Sequence, residues 1–152
     1  MAADDQDPIL IQITVPLPTA MILGAFTDAT QLAGWLCTEA EVEPKAGGRY
    51  DLTFSEPEAF TSHGTVTALT PEVDIGFTWE PPAAYRALLA TRGDASTVYV
   101  RLQESPEGID VTLEHAPWGA GDEWEEARSW HFRLWDERLH GLKEFLLKAA
   151  YG

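Results

Sequence analysis

Cysteine and basic residues are scarce in this chain of 152 residues. Cys37 is alone, so the sequence excludes an intramolecular disulfide and a metal cluster built from cysteine pairs. Lys and Arg number 10 against 25 Asp and Glu, and the formal net charge is −15. Because phosphate contacts need clustered basic side chains, we expect no nucleic-acid partner and no binding to anionic membrane surfaces. The acidity favours solubility, or provides an acidic face for a basic partner.

Long hydrophobic runs are missing as well. No apolar run approaches the roughly 18 residues of a transmembrane helix, so we expect no membrane span. Residues 1–8 are acidic and lack the positively charged start of a signal peptide, which makes the cytoplasm the expected location. A hydrophobic content of 45% over this length fits one domain with its own core. We therefore expect a disordered tail at 1–8 and a single domain over 9–152.

The stretch from Asp122 to Ala150 has the pattern of one long amphipathic helix, without proline. Its apolar residues recur at spacings of three and four, which places them on one stripe of an α-helix. The stripe consists of Ala127, Trp130, Leu134, Trp135, Leu139, Leu142, Phe145, Leu146 and Ala149. Acidic residues crowd the first turn and Lys148 lies near the end, as the helix dipole favours. A stripe of this length needs a broad cover, which the rest of the chain supplies as a sheet.

Alternation with a period of two predicts about six or seven strands in the remainder of the chain. Their predicted bounds are 9–17, 39–43, 49–55, 63–70, 74–80, 96–104 and 109–115. Consecutive hairpins form an antiparallel sheet with one buried face. The fold class is therefore α+β, with a curved sheet against a long C-terminal helix. A gap between the helix and a curved sheet is a natural pocket for a small molecule.

Short helices complete the predicted architecture. Thr19 is the predicted N-cap of a helix that ends near Phe26, and Asp28 or Thr30 caps a second that ends at Leu36. Two short helices after the first strand are an uncommon arrangement. Residues 83–90 are predicted to form a third short helix that lies over an edge of the sheet.

Six segments of the chain resemble, in order and spacing, the successive signatures of one protein family. The segments are F-T-D-A-T-Q-L-A-G-W-L (26–36), P-K-A-G-G-R-Y-D-L (44–52), H-G-T-V-T-A-L-T-P (63–71), F-T-W-E (77–80), G-I-D-V-T-L-E-H-A (108–116) and W-D-E-R-L-H-G-L-K-E-F-L (135–146). The family is that of the homologues of the activator of the heat-shock-protein-90 ATPase. It belongs to the START-like helix-grip superfamily (SRPBCC), and the resemblance runs from about residue 19 to residue 149.

The resemblance implies a curved antiparallel sheet that grips the C-terminal helix, with a cavity between them. It does not imply one activity, because relatives include co-chaperone domains in the stress response, lipid and hormone binders, and polyketide cyclases. Two departures stand out in this sequence. The segment 81–95 is longer than usual, at the expected mouth of the cavity. Leu134 precedes Trp135 where the family usually has glycine, which indicates a more filled interior.

The candidate ligand-binding residues are two histidines and a set of aromatic side chains expected to face the interior. His131 lies on the apolar stripe and His115 closes the last strand, so we expect the two to meet at one end of the cavity. With a pKa near neutral, a histidine there either contacts a ligand, acts as a general base or is a buried structural residue. The full set is His131, Trp135, His115, Trp79, Phe54, Tyr50, Tyr99 and Trp35. The aromatic residues serve either as a wall for a planar or lipid-like ligand or as plain core.

The sequence favours binding over catalysis. It has no nucleophile elbow, phosphate loop or histidine spacing of a metal site, so we assign no catalytic residue, cofactor or metal. Our first hypothesis is a protein that binds an apolar small molecule. The alternatives are an interaction module that modulates a chaperone ATPase, and a cyclase-like enzyme that uses His131 or His115. The sequence leaves the oligomeric state open, a homodimer included.

Overall fold

The computed structural model describes residues 5–152, in which seven strands form one antiparallel sheet. The strands are β1 (Ile9–Val15), β2 (Glu39–Val42), β3 (Arg49–Phe54), β4 (Phe60–Thr70), β5 (Asp74–Thr78), β6 (Thr97–Ser105) and β7 (Gly108–Ala116). Their order across the sheet is β1-β7-β6-β5-β4-β3-β2. From β2 to β7 each strand pairs with the next strand along the chain, with a short helix in the connection between β5 and β6, and β1 pairs with β7. The predicted α+β helix-grip class is confirmed.

The helices also follow the predicted order. They are α1 (Thr19–Thr27), α2 (Ala29–Trp35), α3 (Ala83–Ala90) and α4 (Asp122–Tyr151). The predicted cap at Asp28 is present, since its carboxylate accepts from the Gln31 backbone N–H at 3.3 Å. The predicted cap at Thr19 is wrong. Pro18 occupies the N-cap position, and the Thr19 hydroxyl donates instead to Glu72.

Three strands differ from the prediction by two residues or more at one end, each for a local reason. β1 ends at Val15 because prolines at 16 and 18 lack the N–H that a ladder needs. β5 ends at Thr78, and the Glu80 N–H donates to the Ser62 hydroxyl at 2.9 Å. β4 begins at Phe60, between the predicted strands 49–55 and 63–70, because Phe60 pairs with Phe54 across the β3–β4 hairpin.

The core lies between α4 and the inner face of the sheet. Each strand alternates inward and outward residues, as in β1, where Ile9, Ile11, Ile13 and Val15 are buried. Facing them, α4 buries one stripe that includes Leu134, which is 3% exposed. Within residues 5–152, no helix is both long enough and apolar enough to cross a bilayer.

The predicted N-terminal tail falls partly outside the described residues, namely at 1–4. Residues 5–8 contact the body of the domain. Gln6 forms a bridge with Trp118 and donates to the Gly119 carbonyl, and Arg128 of α4 donates to the carbonyls of Asp7 and Pro8. This segment therefore lies beside the end of the helix–sheet interior that contains the histidines.

Candidate functional site

Five ring side chains meet between α4 and the sheet, and we call them the histidine cluster. They are Trp79, His115, Trp118, His131 and Trp135, and all five are buried. The two imidazole rings lie 5.4 Å apart between centroids. The expected meeting of His115 and His131 therefore takes place.

Local structure explains why the two elements bring these rings together. His131 and Trp135 are one helical turn apart on the buried stripe of α4, so they project from the same face. His115 follows Val111 and Leu113 on the inward face of β7. The Trp79 ring lies 5.1 Å from that of Trp135 and 5.9 Å from that of His131, so it packs against both residues of the helix.

Both nitrogens of His115 are occupied. The Trp135 indole N–H can only donate, and it does so to His115 Nδ1 at 3.0 Å. In the neutral ring the proton therefore lies on Nε2, which donates to the Ser96 hydroxyl at 2.6 Å. Burial lowers the pKa of His115 well below its usual value, and a charge on His131 would lower it further.

This hydrogen-bond order determines what His115 can do for Ser96. A serine hydrolase needs a histidine whose Nδ1–H donates to a carboxylate, which leaves Nε2 free to take the serine proton. Here the third member is an indole donor, and Nε2 already carries a proton. His115 and Ser96 thus form a structural link between β7 and the start of β6, without a base for Ser96.

His131 has one nitrogen occupied and one free. A backbone carbonyl only accepts, so the Nδ1–H of His131 donates to the Ala127 carbonyl at 2.7 Å. Nε2 is then a bare acceptor, and it has no hydrogen-bond partner among residues 5–152. Burial lowers the pKa of His131 to about 4, partly offset by the bond to Ala127, so the ring is neutral at pH 7.

Trp79 supplies the complementary group. Its indole N–H is buried and has no acceptor within the described part of the chain. The ring stands nearly perpendicular to that of His131, at an angle of 79°. An unpaired buried polar group costs about 1–3 kcal/mol, and most proteins avoid it. The cluster therefore contains an unpaired donor and an unpaired acceptor on neighbouring rings.

Helix α3 covers the cluster on one side. The half-buried Tyr85 ring lies 5.8 Å from the Trp130 ring and 5.9 Å from that of His131. Only Leu89 of α3 is fully buried, so this helix rests on the domain with little of its own surface. On this side, His131 is therefore shielded from solvent by little more than the half-buried Tyr85 ring.

The remaining predicted site residues divide into three groups. Phe54 borders the cluster, with its ring 5.8 Å from that of Trp79. Tyr50 and Trp35 lie further along the core, where the Tyr50 hydroxyl donates to the Phe26 carbonyl and the Trp35 indole to the Ala25 carbonyl. Tyr99 was predicted to face the interior, which is wrong. It lies on the outer face of β6, between the inward Val98 and Val100, and donates to Asp74 at 2.7 Å.

The predicted set lacks Trp118 of the histidine cluster and three further members of the site. Ser96 becomes visible only once the β6–β7 register is known, because Thr97 pairs with Ala116 and so places Ser96 near His115. Phe60 lies outside the predicted strands, yet its ring lies 5.8 Å from that of Trp79. Tyr85 was on a correctly predicted helix, but no pattern in an eight-residue helix shows which face meets the domain.

Open grooves lie on the surface rather than at the cluster. One groove of about 980 Å³ is lined by α2 and the outer residues of β2, β3 and β4. A smaller groove of about 270 Å³ lies between α1 and the β4–β5 turn. Neither is lined by His115 or His131. In this conformation the space between α4 and the sheet at the histidine cluster is occupied by the rings themselves.

A curved antiparallel sheet that holds a long C-terminal helix, with two short helices after the first strand, defines a helix-grip protein. Residues 16–146 match the sequence model of the family described as "Activator of Hsp90 ATPase homolog 1-like protein". The chain belongs to this family. No curated protein matches the sequence.

Solved structures of similar fold include three that cover most of this chain. Protein MLL2253 from Mesorhizobium loti has a TM-score of 0.76 and 17% identity, covering 93% of this chain and 97% of its own. The Aha1 dimer from Colwellia psychrerythraea has a TM-score of 0.71 and 17% identity, covering 93% and 96%. DynU16, a putative protein in the dynemicin biosynthetic locus, has a TM-score of 0.71 and 17% identity, covering 95% of this chain and 48% of its own. At these identities the likeness shows the fold.

Proposed function

We propose that this protein binds an apolar or aromatic small molecule between α4 and the sheet, at the histidine cluster. The observation that carries the proposal is the pair of buried polar atoms without partners, Trp79 Nε1 and His131 Nε2. A protein that used this region only as core would be more stable with apolar side chains there. A bound ligand that forms hydrogen bonds to both atoms would explain why these two polar side chains are buried here.

The walls of the cluster suit a planar or aliphatic ligand. Rings surround His131 on several sides, with those of Trp130 and Trp118 at 4.8 Å and 5.0 Å. Aromatic side chains combine a large apolar area with few polar atoms, as small-molecule sites generally do. The interior is closed, so the ligand enters by displacing Tyr85 as α3 moves outward. The small buried surface of α3 makes this the least costly opening.

Native mass spectrometry of the purified protein, compared with the same sample after denaturing extraction, tests this proposal first. We expect a co-purified apolar molecule, or uptake of an added probe such as naphthalene with quenching of tryptophan fluorescence. Tyr85→Ala should speed probe uptake severalfold because it thins the cover. Tyr151→Ala removes a tyrosine that is 77% exposed and is the matched control, with uptake unchanged. The absence of any bound molecule, with no uptake by the wild type or by Tyr85→Ala, would contradict the proposal.

A second proposal comes from the family match. A chain of the "Activator of Hsp90 ATPase homolog 1-like protein" family with a net charge of −15 is suited to an interaction with a basic face of a cytoplasmic chaperone. We expect the protein to change the ATPase rate of the Hsp90-type chaperone of its own organism, in a manner weakened by salt. An unchanged ATPase rate, with no complex at low salt, would reject this second role. Because one similar structure is described as a dimer, light scattering at the assay concentration is the accompanying measurement.

A further inference from the structure

The unpaired atoms of the histidine cluster also restrict the chemistry of the ligand, and this step rests on the proposed function. We infer that the ligand carries an uncharged hydroxyl group, which accepts from the Trp79 indole N–H and donates to His131 Nε2. The ligand class is therefore that of phenols and apolar alcohols. The geometry behind the inference is the adjacency of the two rings, 5.9 Å apart and nearly perpendicular, with one unmet donor and one unmet acceptor.

Other polar groups fit this pair less well. A ketone or ester only accepts, so His131 Nε2 would stay unmet, and an ammonium group only donates, so Trp79 would stay unmet. A carboxylate accepts but brings a negative charge into a cluster that contains no lysine or arginine. A primary amide has two donors, one of which the surrounding rings leave unpaired, and a trans secondary amide has its donor and its acceptor on different atoms that point in opposite directions. A hydroxyl has one donor and an acceptor oxygen, which matches the two free atoms.

His115 narrows the choice of ligand group, because it cannot form a hydrogen bond to the ligand. Its Nδ1 accepts from Trp135 and its Nε2 donates to Ser96, so the second imidazole offers no further site. The same comparison of free donors and acceptors applies to an internal water, which also both donates and accepts. A buried water is held by about two to four partners and has two O–H groups, whereas the cluster offers one free donor and one free acceptor, so one O–H of a water would stay unpaired. A ligand hydroxyl leaves no O–H group unpaired.

A series of three ligands on one ring system tests the inference in the wild-type protein. Naphthalene, 2-naphthol and 2-naphthoate differ only in the polar group, and their dissociation constants are measured by tryptophan fluorescence and calorimetry at pH 7. We expect 2-naphthol to bind about tenfold or more tightly than naphthalene, as two hydrogen bonds to otherwise unpaired groups would give. We expect 2-naphthoate to bind more weakly than naphthalene.

Variants assign the preference to the two atoms. Trp79→Phe removes the indole N–H and keeps a ring, and His131→Leu removes the acceptor. In each variant, the advantage of 2-naphthol over naphthalene should fall to about threefold or less, while naphthalene still binds. His140→Leu is the control, because His140 Nδ1 contacts the Asp136 carbonyl at 2.7 Å just as His131 contacts that of Ala127, but on the exposed side of α4. Its ligand preference should equal that of the wild type.

The outcomes separate the inference from the function on which it rests. Equal binding of naphthalene and 2-naphthol would show that the hydroxyl contributes nothing, and would overturn the inference while leaving the binding function in place. Tightest binding of 2-naphthoate would overturn the inference in the same way. If none of the three binds the wild type or Tyr85→Ala, the proposed function fails and the inference fails with it.

Discussion

The buried stripe of α4 has two parts with different chemistry. Its first part contributes His131 and Trp135 to the histidine cluster, where ring nitrogens need partners. Its second part contributes Leu139, Leu142 and Leu146, which are at most 1% exposed and have no polar side-chain atoms. The leucine part only stabilises the fold. The histidine part departs from the best core chemistry at His131 Nε2, which is unpaired and whose ring adjoins that of Trp79 with its own unpaired N–H, and a function is expected at such a departure.

The two parts should differ most in how much one substitution in each lowers the free energy of unfolding. Leu142→Ala should lower the free energy of unfolding by about 2–5 kcal/mol, because it removes buried methyl groups and leaves a cavity. His131→Leu should change it by less than about 1 kcal/mol at pH 7, because it removes an unpaired acceptor along with one local bond. Urea unfolding followed by circular dichroism measures both. A loss above 2 kcal/mol for His131→Leu would show that the histidine part is ordinary structural core.

The pH dependence of stability is the next effect. The unfolded chain protonates His131 near pH 6.5, whereas the folded chain does so only at about pH 4. Between these values the unfolded state holds the extra proton, so stability is fully present above pH 6.5 and falls as the pH is lowered towards 4. The loss from this residue is on the order of 3 kcal/mol, and the lowered pKa of His115 adds to it in the same direction.

Urea unfolding at several pH values tests this effect. His131→Leu should flatten the curve between pH 6.5 and 4, and His140→Gln, at an imidazole that is 67% exposed, should leave it as in the wild type. Equal slopes for wild type and His131→Leu would contradict the burial of a neutral imidazole at position 131.

A smaller effect on stability is expected at the hydrogen bond between Trp135 and His115, where donor and acceptor are paired. Trp135→Phe keeps a ring but removes the N–H that His115 Nδ1 accepts, leaving that nitrogen unpaired in the interior. We expect a loss of about 2 kcal/mol in the free energy of unfolding. Trp124→Phe changes a tryptophan outside this hydrogen-bond network and is the matched control, with a smaller loss. Equal losses would mean that the Trp135–His115 bond has no energetic role.

The smallest effect concerns the leucine part, where only packing and helix propensity matter. A Cβ at Gly141 in α4 would have nothing within 4 Å, so Gly141→Ala should stabilise the protein by about 0.5–1 kcal/mol. A Cβ at Gly34 in α2 would lie 2.7 Å from the Phe145 ring, so Gly34→Ala should gain less or destabilise. Thermal unfolding of the two variants compares them directly. If Gly34→Ala stabilised the protein more than Gly141→Ala does, the packing of α2 on α4 would be contradicted.

The sequence predicted the fold better than the site, for physical reasons. The three-and-four spacing of α4 and the alternation of the strands report which face is buried, and these patterns gave the correct elements in the correct order. They also placed His115 and His131 inward. Tyr99 was assigned to the wrong face because an aromatic residue is common on either side of a strand, and its bond to Asp74 depends on the β5–β6 pairing.

The sequence could not predict which ring nitrogens of the histidine cluster lack a hydrogen-bond partner. Which nitrogen of an imidazole is left unpaired depends on the partner of the other nitrogen, as with Ala127 for His131 and Trp135 for His115. Ser96 and Tyr85 enter the site only through the register of β6 and the position of α3. Such contacts join residues far apart in the chain, and no local pattern records them.

Nuclear magnetic resonance of the imidazole and indole nitrogens, with and without 2-naphthol, tests the central claim most directly. In the free protein, we expect His131 to have its proton on Nδ1 and a bare Nε2. On addition of 2-naphthol, the resonances of His131 Nε2 and of the Trp79 indole N–H should shift together, while those of His140 stay in place. A proton on His131 Nε2 in the free protein would contradict the account. So would binding of 2-naphthol that moves resonances of the surface grooves and leaves Trp79 and His131 unchanged.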